Sequence, residues 1–459
     1  MYQIDFSHPI HIHFIGIGGV SMSGLAEILL EKGFTISGSD VRHSSLTDML
    51  EAKGVHVSYR QCAANITDDI DLVVYTAAIH PDNPEFTAIS AKGLPSLTRA
   101  QLLGQIMRAY GLPAAISGTH GKTTTTSMIS QILLEADADP TLSIGGILKS
   151  IGGNTRVGKS DYFVTEACEY TNSFLSFFPR IGVILNVEED HLDFFKDIND
   201  IRNSFHQFAQ LIPEDGLLII NGEIPEIGTI TSGLNCPILT YGSSSEYDYY
   251  YTDLSFDEYA HPSFTAHDKE GNAFSVKLSV PGRHNVMNAL AALALSDAFS
   301  LDRTVAVKAL ADFSGTDRRF EYKGKIGGLT IIDDYAHHPT EITATLQAAK
   351  NYPHKTLWCV FQPHTYTRTK AFLPEFAKAL ALSDKIVLAD IYAARETDTL
   401  GISSKTLQEE IQKLGKECFY FPSFDEIENF LLKNCTDGDV LITMGAGDVV
   451  KIGKNLLGL

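Results

Sequence analysis

The chain has 459 residues, 44% of them hydrophobic and 20% charged, with a formal net charge of -20. That length exceeds one ordinary core and implies roughly three domains, and the composition is that of a soluble globular protein. The excess of 56 acidic over 36 basic residues excludes a general nucleic-acid binder, whereas an anionic nucleotide ligand needs only a local cluster of donors.

Six cysteines (Cys62, Cys168, Cys236, Cys359, Cys418, Cys435) are scattered without a CxxC pair. They read as reduced thiols of a cytoplasmic protein, neither a disulfide frame nor a zinc site. Residues 1–5 carry no basic segment and no apolar run approaches a membrane span, so no membrane insertion is expected.

His11–Ile15 reads as a buried strand, followed by Gly16-Ile17-Gly18-Gly19 and a helical pattern with Met22, Leu25, Ala26, Leu29 and Leu30 on one face. The next strand covers 34–38 and ends at Ser39-Asp40. This is the first βαβ unit of a Rossmann-like sheet, with an acidic residue about 20 positions after the glycines. Ser21 stands where GxGxxG needs its third glycine. Three readings therefore stay open: NAD, glycines that only permit close strand–helix packing, or another diphosphate nucleotide held by the same turn. The sheet continues through 56–58 and 72–76, and the loop 77–84 follows at a strand C-terminus, the edge where open α/β sheets bind ligands. A helix over 98–110 runs to Gly111, the first expected boundary.

An apolar run over 112–116 leads into Ser117-Gly118-Thr119-His120-Gly121-Lys122-Thr123-Thr124-Thr125, and a helical pattern over 124–135 leads out. Strand, glycine loop, Lys-Thr and helix make a phosphate-binding loop: backbone N–H groups and the helix dipole face the phosphates. Lys122 is spaced to reach the β/γ-phosphates and the Thr123 hydroxyl to hold Mg²⁺. Ile116 replaces the first glycine of the usual spacing, so this is a shorter variant. Strands over 161–165 and 180–185 end at Glu166 and at Asn186 to Asp193, on the same sheet edge. Glu166 suits Mg²⁺ beside Thr123, and His191 a second metal position; the run from Glu188 to Asp193 reads equally as a solvated acidic loop. A helix over 197–211 and a strand over 217–221 follow. The tyrosine-rich segment 241–262 is read as solvent-facing excursion strands in preference to a stacking surface. An Ala/Leu-rich helix opening near 284 puts Asn285 and Asn288 on one face, where amides cap the helix or hydrogen-bond a purine.

Residues 312–317 form a polar break, and Arg318-Arg319-Phe320-Glu321 opens the last domain, where an arginine can clamp a phosphate. Four apolar strands end in polar or glycine loops: Asp333-Asp334-Tyr335-Ala336-His337-His338, Gln362-Pro363-His364-Thr365-Tyr366-Thr367-Arg368, Ala389-Asp390, and Thr443 to Asp448. Helical segments separate them, which predicts another doubly wound α/β unit with its loops toward a site.

Taken in order, GIGG, SGSD, GTHGKTTTT, NVEEDHLD, GRHNVMN, RRFE, DDYAHHPTE and FQPHTYTRT resemble the motifs of the Mur ligase family, the ATP-dependent amide-forming enzymes of peptidoglycan synthesis. The resemblance covers essentially the whole chain, and DDYAHHP with FQPHxYxRT points to the branch that adds L-alanine to UDP-N-acetylmuramate. It implies an α/β chain of three domains: a Rossmann-like UDP-sugar domain (1–111), a central P-loop ATPase-like domain (112–315) and a C-terminal doubly wound Rossmann-like ligase domain (316–459). It implies that Gly118, Thr119, His120, Gly121, Lys122, Thr123 and Thr124 cradle ATP, with Asn285, Asn288, Arg319 and Asp334 completing that site. Thr123, Glu166 and His191 would hold Mg²⁺. Gly18 and Gly19 would face the diphosphate, Asp40 the uridine, and His338, His364 and Arg368 the muramoyl carboxylate and the incoming alanine. Lys122, His191, Arg319 and His338 would be catalytic, with His338 orienting the amine or accepting its proton. Cys168 and Thr365 depart from the family's pattern, which commonly has acidic and arginine residues there. Two other functions fit parts of the chain: a recycling ligase that adds a tripeptide to the same UDP-sugar, and an NAD-dependent oxidoreductase. A monomer and a homodimer both fit the sequence.

Overall fold

The computed structural model describes residues 2–76, 79–394 and 396–459. Ala77 and Ala78, in the expected ligand-side loop of the first sheet, lie outside the described residues.

The first sheet is five-stranded and parallel, in the spatial order His56–Ser58, Thr35–Ser39, His11–Ile15, Leu72–Tyr75, Ser96–Thr98. Its central strand buries Ile12, Phe14 and Ile15 completely, as a strand covered by helices on both faces must. The strand order reverses beside His11–Ile15, so the Gly16–Gly19 turn lies at the switch point. The helix Val20–Glu31 follows it. Sequence periodicity missed the helices Ser45–Ala52 and Pro84–Lys92, which are 8 and 9 residues long. Their caps were the available signal: Ser44 with Thr47 forms a capping box, and Asn83 caps a helix whose first residue is proline.

The central sheet has seven strands, in the order Ile238–Tyr241, Leu217–Asn221, Ile181–Ile184, Leu112–Ser117, Tyr162–Ala167, Thr141–Leu148, Gly153–Arg156. All neighbours are parallel except the last pair. The strand feeding the glycine loop is therefore in mid-sheet, between the strands that carry Glu166 and lead to Asn186. A three-stranded antiparallel sheet, Tyr250–Phe256, Pro262–His267 and Ala273–Lys277, is appended. These are the expected excursion strands, with one correction. Tyr249 and Tyr251 do not face solvent; they are buried in the core that holds the helix His284–Ala298, and the Tyr249 hydroxyl donates to Asp297 (2.6 Å).

The third sheet runs Glu321–Ile326, Leu329–Asp334, Val440–Met444, Leu357–Phe361, Lys385–Leu388, Glu417–Tyr420, with only the first pair antiparallel. The packing between units is unequal. One continuous apolar core joins the first sheet to the central domain, through Leu102, Leu103 and Ile106 on one side and Phe163, Phe174 and Phe205 on the other. The last domain has its own cores and meets the central domain through the polar contacts described below and the Tyr259–Tyr352 ring contact (5.1 Å). An interface of that kind leaves relative motion as the default.

Candidate active site

Gly121 begins the helix Lys122–Glu135 with φ +83°, and a Cβ there would lie 2.7 Å from Asn288 Oδ1. Only glycine permits both the turn and that contact. The loop is pinned from the strand end beside it. The His120 N–H donates to Asn186 Oδ1 (2.7 Å), Asn186 Nδ2 donates to the His120 carbonyl (3.0 Å), and the Glu188 N–H donates to Thr119 Oγ1 (2.9 Å).

Lys122 Nζ donates to the carbonyls of Gly118 and Thr119 and to the Glu169 carboxylate, 3.1 Å away. Burial works against its charge, but Glu169, together with Cys168 and Glu166, outweighs burial and raises the pKa, so Lys122 stays cationic. Thr123 Oγ1 donates to Glu166 Oε2 (3.1 Å), and the Gly145 N–H donates to Glu166 Oε1 (2.5 Å). A Cβ at residue 145 would stand 2.6 Å from the same carboxylate, so the glycine is what lets Glu166 lie there. Burial raises the Glu166 pKa against both hydrogen bonds. A half-buried carboxylate beside a hydroxyl is a hard-oxygen donor pair that fits Mg²⁺. His191, in the left-handed region at φ +53°, is stacked on Tyr170 with ring centroids 4.5 Å apart and faces the same cavity.

Two cavities flank this loop, and a third opens from the first of them. The first, about 460 Å³, is lined by the glycine loop, Glu166, His191 and Arg319. The second, about 260 Å³, is lined by Thr124, Asn285, Asn288, Asp334 and Tyr241. The third, about 350 Å³, is lined by His364, Thr365, Arg368 and Glu396. His120, Gly121, Arg319 and Glu341 line both the first and the second, and Asp190, His191, Tyr335 and His337 line both the first and the third. Most of the expected residues thus lie along one path. Asn288 Nδ2 donates to Asn285 Oδ1 (3.0 Å), as their spacing required. Asp334 accepts from the N–H groups of Phe320 (2.9 Å) and Ala336 (2.7 Å), holding the loop that presents Arg319; burial, opposed by Arg319, lifts its pKa to about 6.

The last domain closes over this path with charged contacts. Arg368 Nε and Nη2 both donate to Asp190 Oδ1 (3.0 and 2.8 Å), and Arg368 Nη1 donates to His364 Nδ1 (3.2 Å). Burial alone would raise the Asp190 carboxyl, but Arg368 together with His191, His338 and His337 outweighs it and holds the group well below the usual carboxylate range. Thr340 Oγ1 donates to Glu188 (2.7 Å). His120 lies 3.5 Å from Glu188 on its own domain and 3.2 Å from Glu341 on the other. Burial pulls the His120 pKa down, yet the carboxylates of Glu188 and Glu341 prevail and hold it at about 9.

A folded-state pKa above the unfolded value of about 6.5 stabilises fully below pH 6.5, and the gain is lost as pH rises through 9. The closed arrangement is therefore expected to weaken by on the order of 1–3 kcal/mol between pH 6.5 and 9.5. Small-angle scattering across that range would register the expansion, and His120→Gln would flatten the dependence.

Four of the expected residues are engaged by contacts within the chain. The Gly18 N–H donates to Asp40 Oδ2 (2.8 Å) and the Gly19 N–H to the Gly16 carbonyl (3.2 Å), so neither amide is directed at a diphosphate. Asp40 also accepts from the Val41 (2.7 Å) and Arg42 (3.3 Å) N–H groups, so it organises the turn. Among the described residues, the first amides there without a partner are those of Val20, Ser21 and Met22, at the helix N-terminus. His338 is buried as the N-cap of the helix Pro339–Lys350. Its Nδ1 accepts from the Thr340 N–H (3.3 Å) and its Nε2–H donates to the Glu189 carbonyl (3.1 Å), which leaves no lone pair for a base.

His337 has the free nitrogen instead. Its Nδ1–H donates to the Tyr335 carbonyl (3.0 Å), leaving Nε2 as an acceptor in a ring that lines the first and third cavities. Burial, against the pull of Glu341, pushes its pKa down to about 3, so it is neutral. Sequence reasoning also missed Glu169, Asp190, Glu341 and His284 as site residues. Asp190 and Glu341 lay inside quoted motifs, and Glu341 occupies the third position after a helix cap, where a capping-box acid is expected.

Three family profiles match consecutive parts of the chain: "Mur ligase family, catalytic domain" over residues 11–111, "Mur ligase middle domain" over 116–296, and "Mur ligase, glutamate ligase domain" over 318–447. The chain belongs to the Mur ligase family. It is 63% identical over 457 residues to the UDP-N-acetylmuramate–L-alanine ligase of Agathobacter rectalis and 60% identical over 458 residues to that of Lachnospira eligens, with the whole of each chain covered. The crystal structure of the UDP-N-acetylmuramate–alanine ligase of Thermotoga maritima superposes with a TM-score of 0.82 at 30% identity, covering 98% of both chains. A murein peptide ligase from Psychrobacter arcticus gives 0.73 at 27%, again over 98% of both.

Proposed function

We propose that this chain is a UDP-N-acetylmuramate–L-alanine ligase, coupling ATP cleavage to an amide bond between L-alanine and the lactyl carboxylate. The observation that carries the reading is the continuity of the three cavities: the glycine loop joins the first to the second, and Asp190, His191, Tyr335 and His337 join the first to the third. The purine fits the second, against Asn285, Asn288 and the Tyr241 ring; the phosphates and the donor carboxylate meet in the first; the amine enters through the third. The likeness to alanine-adding relatives over the full length supports the choice of acceptor.

The chemistry follows from what each component needs. A carboxylate is a poor acylating agent, so its oxygen attacks the γ-phosphorus and ADP leaves, giving an acyl phosphate. The neutral amine then attacks the acyl carbon, and phosphate departs from the tetrahedral intermediate. Lys122 and Arg319 stabilise charge on the transferring phosphoryl group. Thr123 and Glu166 would hold Mg²⁺, with His191 beside them; the bound ion supplies further charge compensation between the phosphates. His337 Nε2 accepts a hydrogen bond from the incoming amine and orients it. The last domain, docked through Asp190, Glu188 and His120, keeps water from the acyl phosphate.

His337→Ala is expected to lower kcat at least tenfold with nucleotide affinity unchanged. His338→Ala is expected to act through the interface, lowering the melting temperature and loosening the scattering envelope. Steady-state kinetics beside thermal melts would distinguish them, and equal effects of the two on kcat would return His338 to the chemistry. The acceptor is tested by phosphate release with UDP-N-acetylmuramate and either L-alanine or the tripeptide. Turnover with L-alanine alone is expected; preference for the tripeptide would make this a recycling ligase.

A further inference from the structure

Glu169 is 2% exposed. The one cation bonded to it among the described residues is Lys122, at 3.1 and 3.4 Å from its two oxygens. The remaining capacity of Lys122 is spent on the Gly118 and Thr119 carbonyls. The lysine that a phosphate-binding loop offers to a nucleotide is thus paired with a buried carboxylate. A triphosphate that takes the Lys122 ammonium strips Glu169 of its counter-charge and adds its own negative charge beside it. A buried carboxylate left unpaired is strongly destabilising, and no second arginine or lysine is bonded to Glu169 to take over among the described residues.

We propose that Glu169 is a charge gate that makes nucleotide binding depend on a divalent cation: Lys122 moves from Glu169 to the phosphates only when a cation arrives with them to compensate the carboxylate. The inference rests on the reading of the glycine loop as an ATP site. It assigns to Glu169 a positioning role that no motif spacing disclosed, because the residue's partner is 47 positions away in the chain. It also states what Lys122 does before the substrate arrives.

The sign of the test separates a gate from a scaffold. With excess EDTA, Glu169→Gln is expected to bind ATP at least tenfold more tightly than the native chain by calorimetry. The native preference for Mg·ATP over metal-free ATP should shrink by the same factor. If Glu169 served only to hold Lys122 in place, the variant would bind metal-free ATP no better than native, and that result overturns the proposal. Lys122→Met gives a second reading that does not need the first variant to fold. Freed of its partner, Glu169 is expected to tighten Mn²⁺ binding in the absence of nucleotide at least fivefold by electron paramagnetic resonance; unchanged or weaker Mn²⁺ binding overturns the gate. A native chain that binds neither form of ATP would overturn the ATP reading itself, and the gate with it.

Discussion

Lys122→Ala is expected to reduce ATP-dependent ligation at least a thousandfold while leaving binding of UDP-N-acetylmuramate unchanged. Two losses combine. The first is the charge opposite the transferring phosphoryl group, an interaction of the class worth several kcal/mol in the transition state. The second is the compensation of Glu169, whose carboxylate lies 3.1 Å from Nζ with 3% of its side chain exposed; removing one partner of such a buried pair costs about 3–5 kcal/mol. The second loss is reversible by design: Lys122→Ala with Glu169→Gln should regain most of the stability and none of the activity. Phosphate release, calorimetry with the UDP-sugar and thermal melts on the four members of the cycle check this. Activity restored in the double variant would mean that Lys122 acts only by neutralising Glu169.

Asp190→Ala is expected to have the next largest effect, lowering kcat/KM at least a hundredfold. Asp190 and Arg368 are 178 residues apart and belong to different domains, yet their side chains are 7% and 9% exposed at 2.8 Å. The substitution leaves the Arg368 guanidinium buried without its carboxylate, again about 3–5 kcal/mol, and the cost falls on the closed arrangement because the pair exists only there. Scattering should show the variant more extended than native even with nucleotide bound. The pH behaviour follows from the sign of the shift. A carboxyl depressed in the folded state contributes above the unfolded value near 3.9 and is lost only as pH falls through its own low pKa. This contact therefore persists across the working range, while the His120 contact lapses as pH rises through 9. Arg368→Ala should match Asp190→Ala in the scattering; if it loses activity without expansion, the pair is not what docks the domain.

The fold was legible wherever a buried strand ran into a glycine or polar loop. The strands Leu217–Asn221, Leu357–Phe361 and Lys385–Leu388 carry apolar runs bounded by turns, and the helix carrying Asn285 and Asn288 is an Ala/Leu-rich run buried on nearly every side. Short helices such as Ser45–Ala52 and Pro84–Lys92 are too brief for periodicity to register, and only their caps announce them. The site was legible as a set of residue types at strand ends, which drew Lys122, Thr123, Glu166, Arg319 and Arg368 toward one path. What the sequence could not disclose is which hydrogen bonds those groups make among themselves. Gly18 and Asp40 satisfy each other, His338 spends both ring nitrogens on backbone, and His337 keeps one free. Neighbouring histidines of identical type are separated only by where the helix begins. Glu169 illustrates the same limit: its role comes from a lysine on another strand's loop.

The central claim is that the three joined cavities form one ligase site working through an acyl phosphate. Its most direct test is turnover with UDP-N-acetylmuramate carrying ¹⁸O in the lactyl carboxylate, together with ATP and L-alanine, followed by mass analysis of the released phosphate. Transfer of one labelled oxygen to phosphate for each amide formed is the predicted result. Unlabelled phosphate alongside amide product would contradict it, because the carboxylate oxygen would then never have been bonded to phosphorus.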